Sequence, residues 1–386
     1  MTSAVPYWRL SGFYFFYFST LGGFLPFWSL YLEAKGFNPL EMGQLTAFLL
    51  GTKIIAPNFW GWMADRTGKC MRSIRIASFL ATAIFTGFFF VAGYRDYALI
   101  TIGFSFFWNA ALPQFEAATL FHLKTNSHGY SRIRLWGSIG FILTVLGIGR
   151  GLDELPISLL PYVIAVLLLL VWLLTLITPE ASASPEQQDE TGLYSILKKP
   201  EVIAFLLIYM LLQMAHGPYY VFFSIYLHNF AYNGTIIGQL WALGVLAEIF
   251  LFIFMQPILK AFSLRNIVLL SIVLSILRWL LIAWGISYIG LLLFAQVLHA
   301  ASFGATHVAA IHLVQRYFGI QHQGKGQALY TSMSFGMGGM LGSLYSGYCW
   351  ELLGAQYVYT IAAGFCVLAL IFAMIWIDRE KAPEFA

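Results

Sequence analysis

The sequence predicts an all-α membrane protein of twelve transmembrane helices in two six-helix parallel repeats, and three observations predict it. Hydrophobic residues make up 60% of the 386-residue chain and charged residues only 10%. Apolar runs of about 20 residues recur along its whole length, each long enough to cross the hydrocarbon core as a helix. The chain also repeats itself at a constant offset: Ser29-Leu30-Tyr31-Leu32 returns as Ser224-Ile225-Tyr226-Leu227, and Gly43-Gln44-Leu45 as Gly238-Gln239-Leu240. Parallel six-span repeats are the plan on which alternating-access carriers rock around a midplane site.

Taken in order, the spans fall near 10–33, 41–63, 73–94, 97–122, 133–151 and 156–178, then 201–228, 236–259, 266–286, 289–315, 326–349 and 355–377. The first run, Leu10 to Leu32, is too long for a signal-peptide core and has no small-residue cleavage site behind it, so it reads as a retained span. Residues 1–178 form an N-terminal bundle and 201–386 a C-terminal one. Between them 179–200 is polar, with Pro179, Pro185 and the run Glu186 to Glu190, and reads as a linker.

Orientation follows from Lys and Arg. Of 21 such residues, sixteen fall in the loops and ends that include Arg9, Arg66, Lys69, Lys124, Arg132, Lys198, Lys260, Lys325 and Arg379, and three (Lys35, Arg95, Arg150) in the other set. Both termini are therefore expected to be cytoplasmic. The net charge of +4 is then a topology signal, and no nucleic-acid partner is needed to explain it.

Several function classes are excluded by what the chain lacks. It has no Gly-Lys-Ser/Thr phosphate loop, no His-Glu-x-x-His, and only Cys70, Cys349 and Cys366, too scattered for a disulfide framework or a metal site. An enzyme and an ATP motor are not expected, and neither is a metal or cofactor beyond a proton gradient. The expected partners are a small-molecule substrate, protons and the bilayer of the plasma (inner) membrane, with the monomer as the functional unit.

The charges inside the spans carry the chemistry. Asn109, Pro113 and Glu116 share one face of the fourth span, and Tyr130-Ser131-Arg132-Ile133-Arg134-Leu135-Trp136-Gly137-Ser138 opens the fifth, so a hairpin brings Glu116 and Arg134 to similar depth, where they can pair. Such a pair is a substrate site or a structural clamp. Lys53 in the second span and its repeat image Glu248 in the eighth are single charges near mid-bilayer. Lys53 either faces the cavity, attracting a substrate carboxylate, or snorkels. A lone carboxylate at Glu248 is costly as an anion, which makes it a natural proton carrier, with Arg278, His299 and His307 as its neighbours in the second half; a static Glu248–Arg278 ion pair is the alternative. Tyr17, Thr20, Phe24, Phe27 and Tyr31, and again Tyr209, Gln213, His216, Tyr220 and Phe223, recur at helical spacing. Packing explains most of them, while Gln213, His216 and Tyr220 add polar groups at bundle depth as substrate contacts. Ser334, Gly338, Gly342 and Ser346 suit close helix approach.

Gly61-Trp62-Met63-Ala64-Asp65-Arg66-Thr67-Gly68-Lys69 resembles the loop between the second and third helices of the major facilitator superfamily. The resemblance implies the twelve-helix fold of that superfamily and a cytoplasmic gate at Gly61, Asp65, Arg66, Gly68 and Lys69, whose glycines let helix ends approach. Within it the chain resembles the phenylpropionate permease branch, a relative of the lactose permeases, over nearly its whole length, from Phe24-Leu25-Pro26-Phe27-Trp28 to Leu298-His299. That resemblance implies substrate contacts at Glu116 and Arg134 and matches Arg278 and His299 to coupling residues. It also departs from the lactose permeases: their proton-carrying acid is Ser302 here, their seventh-helix acids are Tyr220 and Phe223, and their tenth-helix Lys is Gln296. The expected function is proton-coupled import of a small organic solute by alternating access, best matched by an aromatic monocarboxylate; an oligosaccharide or nucleoside is the alternative. A membrane enzyme or a non-transporting sensor are the competing classes.

Overall fold

The computed structural model describes residues 5–123, 127–181 and 193–377, without the side chains of Asp65, Ser127, His128 and Ile320. Most of the predicted linker, 182–192, lies outside the described residues, as do Lys124 and Arg379.

Local signals set the helix ends. Helix α1 covers Tyr7–Ala34 and α2 Pro39–Thr67. At the start of α2 the Asn38 side chain accepts from Glu41 N–H while the Glu41 carboxylate accepts from Asn38 N–H, satisfying two of the amides a helix start leaves open. Its end is set by Gly68, whose φ of 64° terminates the helix in the left-handed region. Then follow α3 (Cys70–Phe85, extended by a 3-10 turn at Thr86–Phe89), α4 (Tyr94–Leu123), α5 (Ser127–Leu152) and α6 (Leu160–Ile177). After the short α7 (Leu193–Leu197) come α8 (Pro200–Ala215), α9 (Gly217–Asn229), α10 (Gly234–Ala261), α11 (Leu264–Gly285) and α12 (Ile289–Val297). A π-helical segment, Ala300–Ala305, leads into α13 (Thr306–Thr331), and a second, Ser332–Gly338, into α14 (Gly339–Leu353). The described chain closes with α15 (Ala355–Trp376).

One difference from the sequence expectation matters. The single span expected at 201–228 is broken at His216 into α8 and α9, because Pro218 in the first turn of α9 supplies no N–H to the preceding turn. The turn expected near 316–325 is found at Gly319 (φ 66°, ψ 175°), where the backbone leaves helical geometry and separates the two helices within Thr306–Thr331.

The chain divides into two compact units, one of residues 1–186 with 233–239, the other of 187–232 with 240–386. In the first, α1 packs on α5 and α6, and α3 on α4 and α6. In the second, α8 packs on the 332–338 segment and α15, and α11 on α15 and the 300–305 segment. The first helix of each unit thus meets its fifth and sixth, so the repeat seen in sequence is also a repeat of packing. The first-to-fifth contact is backbone-close in both: a Cβ on Gly140 would strike the Phe15 carbonyl, and one on Gly217 the backbone of Gly342.

Eight helices among the described residues are long and apolar enough to cross a membrane. The other expected spans, on α1, α2, α3 and 332–353, are shorter or diluted by Tyr, Ser, Gly and Lys53. Reciprocal caps join α3 to the end of α6. The Arg75 guanidinium donates to the Thr175 and Thr178 carbonyls at 3.0 and 2.8 Å, and the Glu180 carboxylate accepts from Met71 N–H at the start of α3. Each charge meets the helix end of opposite partial charge.

Candidate functional site

In the first unit the polar residues gather where α1, α4 and α5 meet. Gly137 sits one turn beyond Arg134 and has no Cβ, which leaves room for the Arg134 guanidinium to lie over the Phe18 ring, 3.9 Å from its centroid and 5.7 Å from that of Tyr14. A Cβ at Gly137 would stand 2.9 Å from Arg134 Nη1 and 2.7 Å from Phe18 Cδ2. The predicted direct Glu116–Arg134 salt bridge does not form. The guanidinium stacks on α1 rings instead, a favourable place for a delocalised cation. Glu116 is reached by the Tyr130 phenol and feels Arg134 only across space. The result is an acid and a cation that face one region without neutralising each other by contact.

Asn109 is placed differently from expectation. Both its amide hydrogens go to α2, to the Leu49 carbonyl and Thr52 Oγ1, each at 2.9 Å, so it braces α4 against α2. Next to that brace, Lys53 is half-buried and makes no hydrogen bond or salt bridge among the described residues. The aromatic stripe of α1 is packing: Tyr17 stacks on Trp108 at 4.0 Å and Phe13 on Phe115 at 3.6 Å.

In the second unit Glu248 of α10 lies 3.8 Å from His299 Nε2. Gly304 makes that possible, since a Cβ there would come within 3.1 Å of Glu248 Cγ. Arg278 does not reach Glu248. Fully buried, it donates to the Ala295 carbonyl and to Ser302 Oγ and lies between the rings of Tyr219 (4.4 Å) and Trp279 (4.5 Å). The static Glu248–Arg278 ion pair is thus ruled out. Ser302, where the lactose permeases carry an acid, serves here as a hydroxyl acceptor for the arginine. His307 faces the Tyr330 hydroxyl at 3.1 Å, and Gln213 donates to that of Tyr220 at 3.3 Å.

At the α2–α3 turn, Gly68 is the conformational stop, Lys69 precedes α3, and Arg66 lies over Trp62 at 5.4 Å. Gly61 corrects the expectation of close helix approach, because nothing lies within 4 Å of where its Cβ would be. The side chain of Asp65 is outside the described residues.

Sequence reasoning missed Tyr130, Gly137, Gly304 and the Asp153 clasp. In the clasp the carboxylate at the end of α5 accepts from Gly234 N–H (2.7 Å), Thr235 N–H (3.2 Å) and the Thr235 hydroxyl, all in the first turn of α10. The Thr235 hydroxyl and these amides hold its carboxyl below the usual range. An acid seated on a helix N-terminus was the available signal.

Polar and charged groups buried in helices long and apolar enough to cross a membrane, in two repeated halves, are the build of a secondary carrier. Residues 7–361 match the family described as the MFS_1 like family, and the chain belongs to it. It is 27% identical over 354 residues to a probable 3-phenylpropionic acid transporter of Escherichia coli (strain K12), covering 88% of this chain and 90% of that one. It is 24% identical to a maltose permease of Geobacillus stearothermophilus, covering 96% and 94%. The crystal structure of the nucleoside transporter NupG superposes with a TM-score of 0.84 at 20% identity over 97% of this chain and 99% of that one. The fold is therefore that of the twelve-helix major facilitator carriers, and the protein is a multi-pass membrane transporter.

Proposed function

We propose that the protein is a proton-coupled symporter for a small planar organic anion, an aromatic monocarboxylate of the phenylpropionate type. The observation that carries this is the charge inside the spans. Lys53, Arg134 and Arg278 stand against Glu116 and Glu248, and Lys53 has no acidic partner among the described residues. A monoanionic solute balances that excess cation at bundle depth, where an unbalanced charge is costly. The substrate contacts are Arg134, Glu116 and Lys53 in the first unit and Gln213, His216 and Tyr220 in the second. Glu248, with His299 beside it and His307 further along α13, carries the proton. The Gly61–Lys69 loop, through Asp65 and Arg66, controls exchange between conformations. Both termini lie in the cytoplasm, and the protein works as a monomer in the plasma (inner) membrane.

A nucleoside or oligosaccharide is the second reading. It is favoured by the Glu116 carboxylate, held beside Tyr130 and not ion-paired, which suits solute hydroxyls, and by relatives named for those solutes. Uptake of labelled 3-phenylpropionate into proteoliposomes under an imposed inward proton gradient tests the proposal. Uncoupler-sensitive accumulation supports it. Accumulation of uridine or maltose alone favours the second reading.

A further inference from the structure

Three helices of the second unit lose regular α geometry at one place. The α8–α9 break falls at His216, and the two π-helical segments each carry the same tripeptide, Ser302-Phe303-Gly304 and Ser334-Phe335-Gly336. π-turns inserted in helices redirect side chains and concentrate at functional sites. All three irregular stretches line one polar pit, to which His216, Gln213, Ser302, Thr306, Tyr330 and Ser334 contribute. It has about 10 Å³ of space for a group's centre, room for one water-sized group.

Two side chains of the pit carry a buried polar atom without a partner among the described residues, His216 at Nε2 and Ser334 at Oγ, and His216 supplies the acceptor. Its Nδ1 is 2.8 Å from the Leu212 carbonyl, which only accepts, so Nδ1 carries the hydrogen. The ring packs edge-on against Trp279 at 4.9 Å and along Tyr220 at 5.7 Å, and no carboxylate lines the pit to favour a second proton. As the neutral imidazole, His216 therefore presents a lone pair on Nε2. That nitrogen is buried, in a side chain 2% exposed, and has no hydrogen-bond partner among the described residues. Three nearby donors point elsewhere, the Tyr209 hydroxyl to the Thr306 carbonyl, the Thr306 hydroxyl to the Ser302 carbonyl, and Gln213 Nε2 to the Tyr220 hydroxyl, while the Ser334 hydroxyl, itself without a partner, makes no bond to His216. A buried acceptor without a donor costs about 1–3 kcal/mol, a deficit that a donor of the right size removes.

The geometry points to His216 Nε2 as the acceptor for a hydroxyl of the transported solute, seated in this pit, so that the carrier selects hydroxylated solutes over their unsubstituted analogues. This rests on the carrier reading above and sharpens its substrate class. The pit admits the hydroxyl alone and the body of the solute stays outside it. A water molecule competes for the same position, and an analogue without a donor displaces it at a loss. The hydroxyl belongs to a phenolic acid, a nucleoside or a sugar, and the test separates these sources.

Equilibrium binding to the purified full chain is measured for 3-phenylpropionate, 3-(3-hydroxyphenyl)propionate, 3-(4-hydroxyphenyl)propionate, uridine and maltose, in wild type, His216→Phe and His216→Asn. The inference expects at least one hydroxylated solute to bind about tenfold tighter than 3-phenylpropionate, consistent with a site built for a hydroxyl. His216→Phe, which keeps a ring of similar size, should reduce that ratio to below twofold. His216→Asn retains a side-chain acceptor and should keep part of the ratio, which separates the hydrogen bond from loss of fold. Equal binding of 3-phenylpropionate and every hydroxylated solute, or a ratio that survives in His216→Phe, overturns the inference and leaves the carrier reading standing. Absence of binding in every arm overturns both.

Discussion

Replacing Gly137 by alanine tests how the substrate contacts of the first unit are placed. The added methyl would lie 2.7 Å from Phe18 Cδ2, 2.9 Å from Arg134 Nη1 and 3.2 Å from Phe18 Cγ. All three are closer than ordinary van der Waals contact, so both the ring and the guanidinium must move. Overpacking of this kind costs about 1–3 kcal/mol. Lifting the guanidinium off a ring 3.9 Å away forfeits a cation–π contact of about 0.5–2 kcal/mol. If the placed guanidinium holds the solute, losing about 1.4 kcal/mol of that placement weakens binding roughly tenfold. The assay is equilibrium binding of labelled 3-phenylpropionate, with Gly147→Ala as control. Gly147 lies on the same helix with nothing within 4 Å of its absent Cβ, so alanine there should be harmless. Gly137→Ala protein that melts like wild type and binds within twofold of it would show that Gly137 does not place the Arg134 guanidinium for the solute.

Arg134→Lys should weaken binding at least tenfold, because lysine keeps the charge but loses the planar fork and its ring contact; near-normal affinity in both Arg134→Lys and Glu116→Gln would remove these two residues from the site. Arg75→Ala should lower the melting temperature by several degrees, on the order of 2 kcal/mol for two charge-assisted bonds to the end of α6, as read by thermal shift. Asp153→Asn should lower the melting temperature at neutral pH. The Asp153 carboxyl is held below its ordinary value in the folded protein, so its contribution is complete above about pH 4 and is lost as pH falls through the lowered folded value. The gap between wild type and Asp153→Asn should therefore be constant from about pH 5 to 8 and shrink only in stronger acid, as pH-resolved melting will read.

Hydropathy made the spans legible because each crossing needs its own apolar run, and single buried charges such as Lys53, Glu248 and Arg278 stand out against that background. The depth match of Glu116 and Arg134 was legible from hairpin geometry. Their lack of direct contact was not, because the competing partner, Phe18, arrives from α1, far away in sequence. The same holds for Arg278, whose Tyr219 ring and Ser302 hydroxyl come from α9 and the tenth span. The break at His216 had a local signal in Gly217-Pro218, outweighed by the unbroken apolar run around it. Neither π-helical segment has a composition signature, and only the repeated Ser-Phe-Gly marks them. Gly137 and Gly304 read as helix-packing glycines, and only coordinates reveal that each makes room for a charged side chain.

Glu248→Gln in proteoliposomes tests whether Glu248 carries the coupled proton. Glutamine mimics the permanently protonated acid at a position 3.8 Å from His299. With Glu248 as the proton carrier, a proton gradient should no longer drive accumulation of the labelled solute in Glu248→Gln, while exchange between equilibrated pools and equilibrium binding persist. Uphill accumulation by Glu248→Gln with the wild-type pH profile would contradict it.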